Sequence, residues 1–157
     1  MKIKFLVDED FVNYKKPSMF IGFPHCNMKC GKEFCQNAAL LDEPDIEIEI
    51  SEIVDRYLSN DITKAIVCGG MEPFDDAEDL FTLLKEFRKF TKDDIVIYTG
   101  YYGEEIIKEV WEGLAQLENI IVKFGRYKPN QPSHFDDVLG VNLCSDNQFA
   151  VKLILKD

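Results

Sequence analysis

The sequence predicts an α/β fold with a largely parallel sheet, and three observations carry the prediction. Short apolar runs alternate along the chain with amphipathic segments of helical period. The central runs each end in a loop bearing cysteines or glycine. The 157 residues, 46% hydrophobic and 30% charged, suit one domain over residues 1–157 with a single core. No internal repeat, low-complexity tract or Ser/Gly-rich linker divides it.

In chain order, residues 2–7 alternate weakly and read as a strand. Residues 18–23 (SMFIGF) are an apolar run stopped by Pro24, a buried strand with the cysteine segment directly behind it. Ile46, Ile48 and Ile50 alternate with Glu47 and Glu49, as in an extended edge segment. Ser51 is suited to cap a helix that carries Ile53, Val54, Tyr57 and Leu58 on its apolar side. Residues 64–68 (KAIVC) form the next buried strand and run into Gly69-Gly70. The clearest helix covers 76–90, with Ala77, Leu80, Phe81, Leu84 and Phe87 on one face. Residues 94–98 (DIVIY) are a strand ended by Thr99-Gly100. Residues 104–117 are helical, with Ile106, Ile107, Val110, Trp111 and Leu114 in one stripe. Residues 119–124 (NIIVKF) are a strand, 127–133 a loop with two prolines, and 138–143 and 149–155 two closing strands. Tyr98 and Trp111 sit on apolar faces and read as core.

Strand–helix alternation of this kind builds parallel βαβ units. Right-handed crossovers bring the loops after the strands to one edge, where ligands of such folds bind. The cysteine loop, Gly69-Gly70 and Thr99-Gly100 therefore gather at one place.

The formal net charge is -11, from 29 acidic and 18 basic residues, which repels phosphate backbones and sets nucleic acid aside as a partner. No apolar run reaches the ~18 residues of a membrane span. The first ten residues lack the apolar core and cleavage site of a signal peptide, so a cytoplasmic location is expected.

Five cysteines are present, and Cys26, Cys30 and Cys35 fall within ten residues. An odd number, three of them clustered, points to metal or redox chemistry rather than a disulfide framework. The loop around them is polar, with Asn27, Lys29, Lys32 and Glu33. Structural zinc takes four ligands and an ordinary four-iron cluster takes four cysteines, but the local count stops at three. Either a distant residue or His25 completes a closed structural site, or the fourth position stays open for a substrate. His25 adjoins Cys26, so its side chain is expected to point away from the first thiol. Cys68, at a strand end, and Cys144 read as core. A non-enzymatic zinc module on His25 and the three cysteines, and a cluster-bearing electron carrier, remain the alternatives from other classes.

Gly69-Gly70-Met71-Glu72-Pro73 follows a strand, and paired glycines let the backbone approach a ligand closely. Three cysteines after one strand and Gly-Gly-x-Glu-Pro after the next resemble the radical S-adenosylmethionine (SAM) enzymes. Within them the chain resembles the activating proteins of anaerobic (class III) ribonucleotide reductase. That second likeness rests on Cys35-Gln36-Asn37 after Phe34, Tyr98-Thr99-Gly100-Tyr101, Lys123-Phe124-Gly125-Arg126-Tyr127, Val138-Leu139-Gly140-Val141 and Ser145-Asp146-Asn147-Gln148. It spans roughly residue 20 to the end of the chain. Two departures mark this sequence. The family spacing is Cys-x3-Cys-x2-Cys, where this chain has Cys-x3-Cys-x4-Cys, and Met71 is inserted in the Gly-Gly-Glu-Pro motif.

The resemblance implies a partial, open (β/α) barrel of about six or fewer units, since 157 residues fall short of the ~250 of a full barrel. It implies a [4Fe-4S] cluster on Cys26, Cys30 and Cys35, with one iron left for SAM. It further implies an electron from the cluster that cleaves the sulfonium and leaves a 5′-deoxyadenosyl radical. Gly69, Gly70 and Glu72 then receive the methionine amino end, Phe34 lies near the adenine, and Asn37 braces the loop. Thr99 and Tyr101 border the ribose, and Lys123 is a partner for the SAM carboxylate or a solvated strand lysine. The implied partners are the large catalytic subunit of the reductase, where a glycyl radical is made, and an electron donor such as flavodoxin or ferredoxin. Residues 127–137, with Pro129, Pro132 and Phe135, are a contact for the partner or an ordinary surface loop. Another radical SAM enzyme, acting on a small molecule or a different glycyl-radical enzyme, is the alternative within the family.

Overall fold

The runs expected as central strands lie side by side and parallel. The computed structural model describes residues 1–27, 33 and 35–156. Its strands are β1 (Lys2–Ile3), β2 (Phe5–Asp10), β3 (Ser18–Phe23), β4 (Ile46–Glu47), β5 (Ala65–Gly70), β6 (Asp94–Tyr98), β7 (Ile120–Phe124), β8 (His134–Asp136), β9 (Val141–Leu143) and β10 (Phe149–Lys152). Its helices are α1 (Ile50–Leu58), α2 (Ala77–Arg88) and α3 (Lys108–Leu114). The main sheet has six strands in the order β10-β7-β6-β5-β3-β2. β3, β5, β6 and β7 are mutually parallel, and β2 and β10 close the two sides antiparallel, so the sheet is mixed. No closed barrel is present among the described residues; the architecture is an open α/β sheet.

The strands are continuous apolar runs because both faces of the sheet are covered. Alternate residues separate into two cores. Met19, Ile21, Phe23, Ile66, Cys68, Ile95, Ile97, Ile120 and Val122 face the helices and pack with Ile53, Val54 and Tyr57 of α1 and Leu80, Leu83, Leu84 and Phe87 of α2. Tyr57 and Phe87 meet edge to face at 5.5 Å, joining α1 to α2. Ala65, Val67, Val96 and Ile121 face the other way and pack with Tyr14, Leu139, Leu143 and Ala150, carried by loops and short strands.

Several boundaries differ from the sequence reading, for local reasons. α1 begins at Ile50, with Glu49 rather than Ser51 at the cap and no side-chain cap bond. The edge segment sets that start: β4 pairs with β1, and Ile48 still donates to Met1 O, so the chain stays extended up to Glu49. The helix expected over 104–117 shrinks to α3. A 3-10 turn at Gly103–Glu105 precedes it, and Ile106 and Ile107 are extended. Glu105 accepts from Tyr102 N and pairs with Arg126, which holds the turn in place of a longer helix. Residues 138–143 do not close the main sheet: β9 pairs with β8 in a separate hairpin. Asp136 makes that turn, taking Leu139 N at 2.9 Å and Ala150 N at 3.1 Å on its two oxygens. No helix among the described residues is long and apolar enough to cross a membrane.

Candidate metal centre at the carboxyl edge

All four parallel strands end at one edge, and their following loops are knitted together there. Past the last ladder pair, Phe23 with Gly70, the two segments stay joined, with Met71 N donating to Phe23 O at 3.0 Å and Glu72 N to His25 O at 2.7 Å. Thr99 N reaches Lys123 O at 2.9 Å, and Gly125 N reaches Tyr101 O at 3.0 Å. Gly70 makes the turn into the site at φ +81°, and a Cβ there would sit 2.8 Å from Gly22 Cα. Only glycine satisfies both the backbone conformation and the close approach.

These loops enclose a cavity. Cys26 and Cys35, both half-buried, line it from the cysteine segment together with Asn37. Gly70, Met71 and Glu72 line it after β5, Gly100 and Tyr101 after β6, and Gly125, Arg126 and Tyr127 after β7. Thus six of the residues picked out from sequence meet at one cavity: Cys26, Cys35, Asn37, Gly70, Glu72 and Tyr101. Asn37 Nδ2 donates to Gly70 O at 2.9 Å, tying the cysteine segment to the glycine loop. Gly69, Thr99 and Lys123 lie beside the cavity and do not line it. Gly69 packs under the Phe20 ring, and Thr99 is buried against Glu72. Cys30 and Phe34 lie outside the described residues.

Glu72 is 4% exposed, and its carboxylate is well supplied with donors. Oε1 accepts from Phe74 N at 3.1 Å and Thr99 Oγ1 at 2.8 Å, and Oε2 accepts from Gly100 N at 2.8 Å. Oε2 retains acceptor capacity toward the cavity. Burial outweighs these donors and pushes the Glu72 carboxyl up to about 7. Lys123 is also buried, and burial pulls its ammonium down to about 8. Its Nζ donates to Gly125 O at 3.0 Å and lies 5.7 Å from the centre of the Tyr98 ring, so it braces the loop after β7 from below. Among the described residues, the cation at the cavity wall is Arg126, paired with Glu105 and stacked on Tyr102 at 5.1 Å. Sequence reading did not single Arg126 out as a site residue. Its signal is the position, directly after a glycine that ends the fourth parallel strand.

The donor set fits an iron–sulfur group. Two of the three expected thiols line the same cavity, and soft thiolates suit such clusters. Among the described residues no three His, Cys, Asp or Glu side chains form a metal-binding group, Cys30 being outside them. His25 is exposed, and its Nδ1 is 2.7 Å from Asp76 Oδ1. Cys68 is fully buried on the helix-facing side, where burial pushes its thiol up to about 12, so it stays protonated. Cys144 is exposed rather than core, because it sits just past β9 where the hairpin leaves the packed face.

No curated protein matches the chain. A family model described as a 4Fe-4S single cluster domain matches residues 14–145, a span that contains all three clustered cysteines, the glycine loop and Arg126. The chain belongs to this family of 4Fe-4S single cluster domains, and it is an iron–sulfur protein.

Proposed function

We propose that the protein is a radical SAM activase that makes a glycyl radical on the large subunit of anaerobic ribonucleoside-triphosphate reductase. The observation that supports this most is that Glu72 and Arg126 both line the cavity that Cys26 and Cys35 line. A Cβ placed on Gly100 would lie 3.7 Å from both Glu72 Oε2 and Arg126 Cγ, so the anion and the side chain of the cation flank one glycine. That arrangement suits the ammonium and carboxylate of an α-amino acid, such as the methionine end of SAM.

Cys26, Cys30 and Cys35 hold the cluster in this reading. Bound there, the cluster would supply the electron for reductive cleavage of the sulfonium, the source of the hydrogen-abstracting radical. The chain's own residues bind and orient. Glu72 Oε2 accepts from the ammonium, and a cation there favours the ionised carboxylate against burial. Arg126, held by Glu105 and Tyr102, faces the carboxylate. Asn37 holds the cysteine segment against Gly70, and Gly70 and Gly100 leave room for the ligand backbone. The open sheet leaves access for a protein loop, and an electron donor such as flavodoxin or ferredoxin completes the cycle.

The test uses anaerobically reconstituted, reduced protein. Adding SAM should change the electron paramagnetic resonance spectrum of the cluster and yield 5′-deoxyadenosine. Adding the reductase subunit should then give a glycyl radical signal on it. A spectrum indifferent to SAM points to an electron carrier, and SAM cleavage without the glycyl signal removes the activase assignment.

A further inference from the structure

We propose that Asp75 and Tyr101 are positioning residues for Cys26, joined with Asn27 in a closed hydrogen-bonded ring that sets this thiol before iron arrives. The inference rests on the iron–sulfur cluster alone and is independent of SAM chemistry. Cys26 lies in a loop, and a loop cysteine is a poor ligand unless its backbone is fixed, because cluster geometry tolerates little displacement.

The fixing groups come from the segments that follow two other strands. Asn27 N donates to Asp75 Oδ2 at 3.0 Å, Asn27 Nδ2 donates to Tyr101 Oη at 2.6 Å, and Tyr101 Oη donates to Asp75 Oδ1. The three bonds close on themselves. Asp75 belongs to the 3-10 turn Pro73–Asp76 that follows β5, and Tyr101 to the loop that follows β6. On the other side of Cys26, His25 is held by its side chain to Asp76 and by its carbonyl to Glu72 N. Both neighbours of Cys26 are therefore fastened to one turn. The Cys35 end is tied differently, by Ala38 N on Cys35 O at 3.3 Å and by Asn37 on Gly70 O. Asp75 also brings a carboxylate to the residue beside a cluster ligand, and a nearby negative charge disfavours reduction of an iron–sulfur centre.

The test uses the full chain, reconstituted anaerobically with ferrous iron and sulfide. Release of iron to a ferrous chelator is timed, and the midpoint potential is measured. Tyr101→Phe and Asp75→Asn should each speed release by about tenfold, the low end of what is lost with partners that orient ligands. The double variant should be no worse than the worse single change, because either one opens the ring. Asp75→Asn should also raise the midpoint potential, while Tyr101→Phe and Asp75→Glu, which keep the carboxylate charge, leave it near wild type. Tyr14→Phe is the control: it deletes a hydroxyl bond to Asp94 of 2.8 Å, at the start of β6 and away from the loops. It should release iron at the wild-type rate. Wild-type release from both Tyr101→Phe and Asp75→Asn, or fully additive effects in the double variant, would overturn the proposal. Tyr101→Phe alone keeps it testable if Asp75→Asn fails to fold.

Discussion

The face of the sheet beneath the helices carries Met19, Ile21, Phe23, Ile66, Ile95, Ile97 and Ile120, all but sealed from solvent. The opposite face carries Ala65, Val67, Val96 and Ile121, then Tyr98 and the buried Lys123 toward the carboxyl edge. Large apolar side chains on one side fill the space under three regular helices, where packing density decides stability. Smaller ones on the other side sit under loops and a hairpin, and polar groups enter where the strands run out. One side of the same strands thus serves cohesion, while the other and its edge present chemistry. The two demands separate because successive strand residues point to opposite faces.

The cysteines give the largest expected effect, and the sharpest way to break this division. Cys26→Ala, Cys30→Ala and Cys35→Ala should each abolish the cluster on anaerobic reconstitution while far-ultraviolet circular dichroism still reports the sheet. Cys68→Ala, on the helix-facing side, should keep its iron. Iron retained without any one of the three, or lost with Cys68, would dissolve the contrast. Phe87→Ala attacks the opposite side. Phe87 is wholly buried against Tyr57, so the substitution should cost about 3–5 kcal/mol in urea unfolding of the apoprotein. A loss below about 1 kcal/mol would mean that the helix-covered core is not the principal source of cohesion.

Glu72 sits between these two regimes, and its effect is the smallest of the three. Burial raises its folded pKa from 4.5 to about 7, so the folded apoprotein keeps a proton that the unfolded chain has already released. Its contribution is fully present below about pH 4.5 and is lost as pH rises through about 7. The loss amounts to about 3 kcal/mol across that window. Wild-type apoprotein should therefore lose more stability than Glu72→Gln between pH 5 and pH 8. Parallel pH profiles for the two would show that the carboxyl pays no such desolvation cost.

Much of this architecture was legible in the chain, and the exceptions have physical causes. Continuous apolar runs such as DIVIY and NIIVKF announce strands covered on both faces, but for that same reason they hide which residue faces which side. Lys123 illustrates it: its position beside the cavity is readable, whereas its orientation under Gly125 follows from strand pairing. α3 came out short because a pair between Glu105 and Arg126, 21 residues apart, competes with local helical preference. The β8 strand escaped notice since three residues carry too little period to register. At the site, cysteine spacing and the glycine pair announced themselves. Asp75 and Arg126 did not, because a charged residue near a turn looks like ordinary solvated surface until the fold turns it inward.

Where the parallel ladder between β3 and β5 ends, Met71 and Glu72 add two backbone bonds, to Phe23 and to His25, the residue before Cys26. His25, and with it the described start of the cysteine segment, is thereby anchored to the innermost strands of the sheet. Any ligand that binds only the folded protein at this edge lends its binding energy to the fold as a whole.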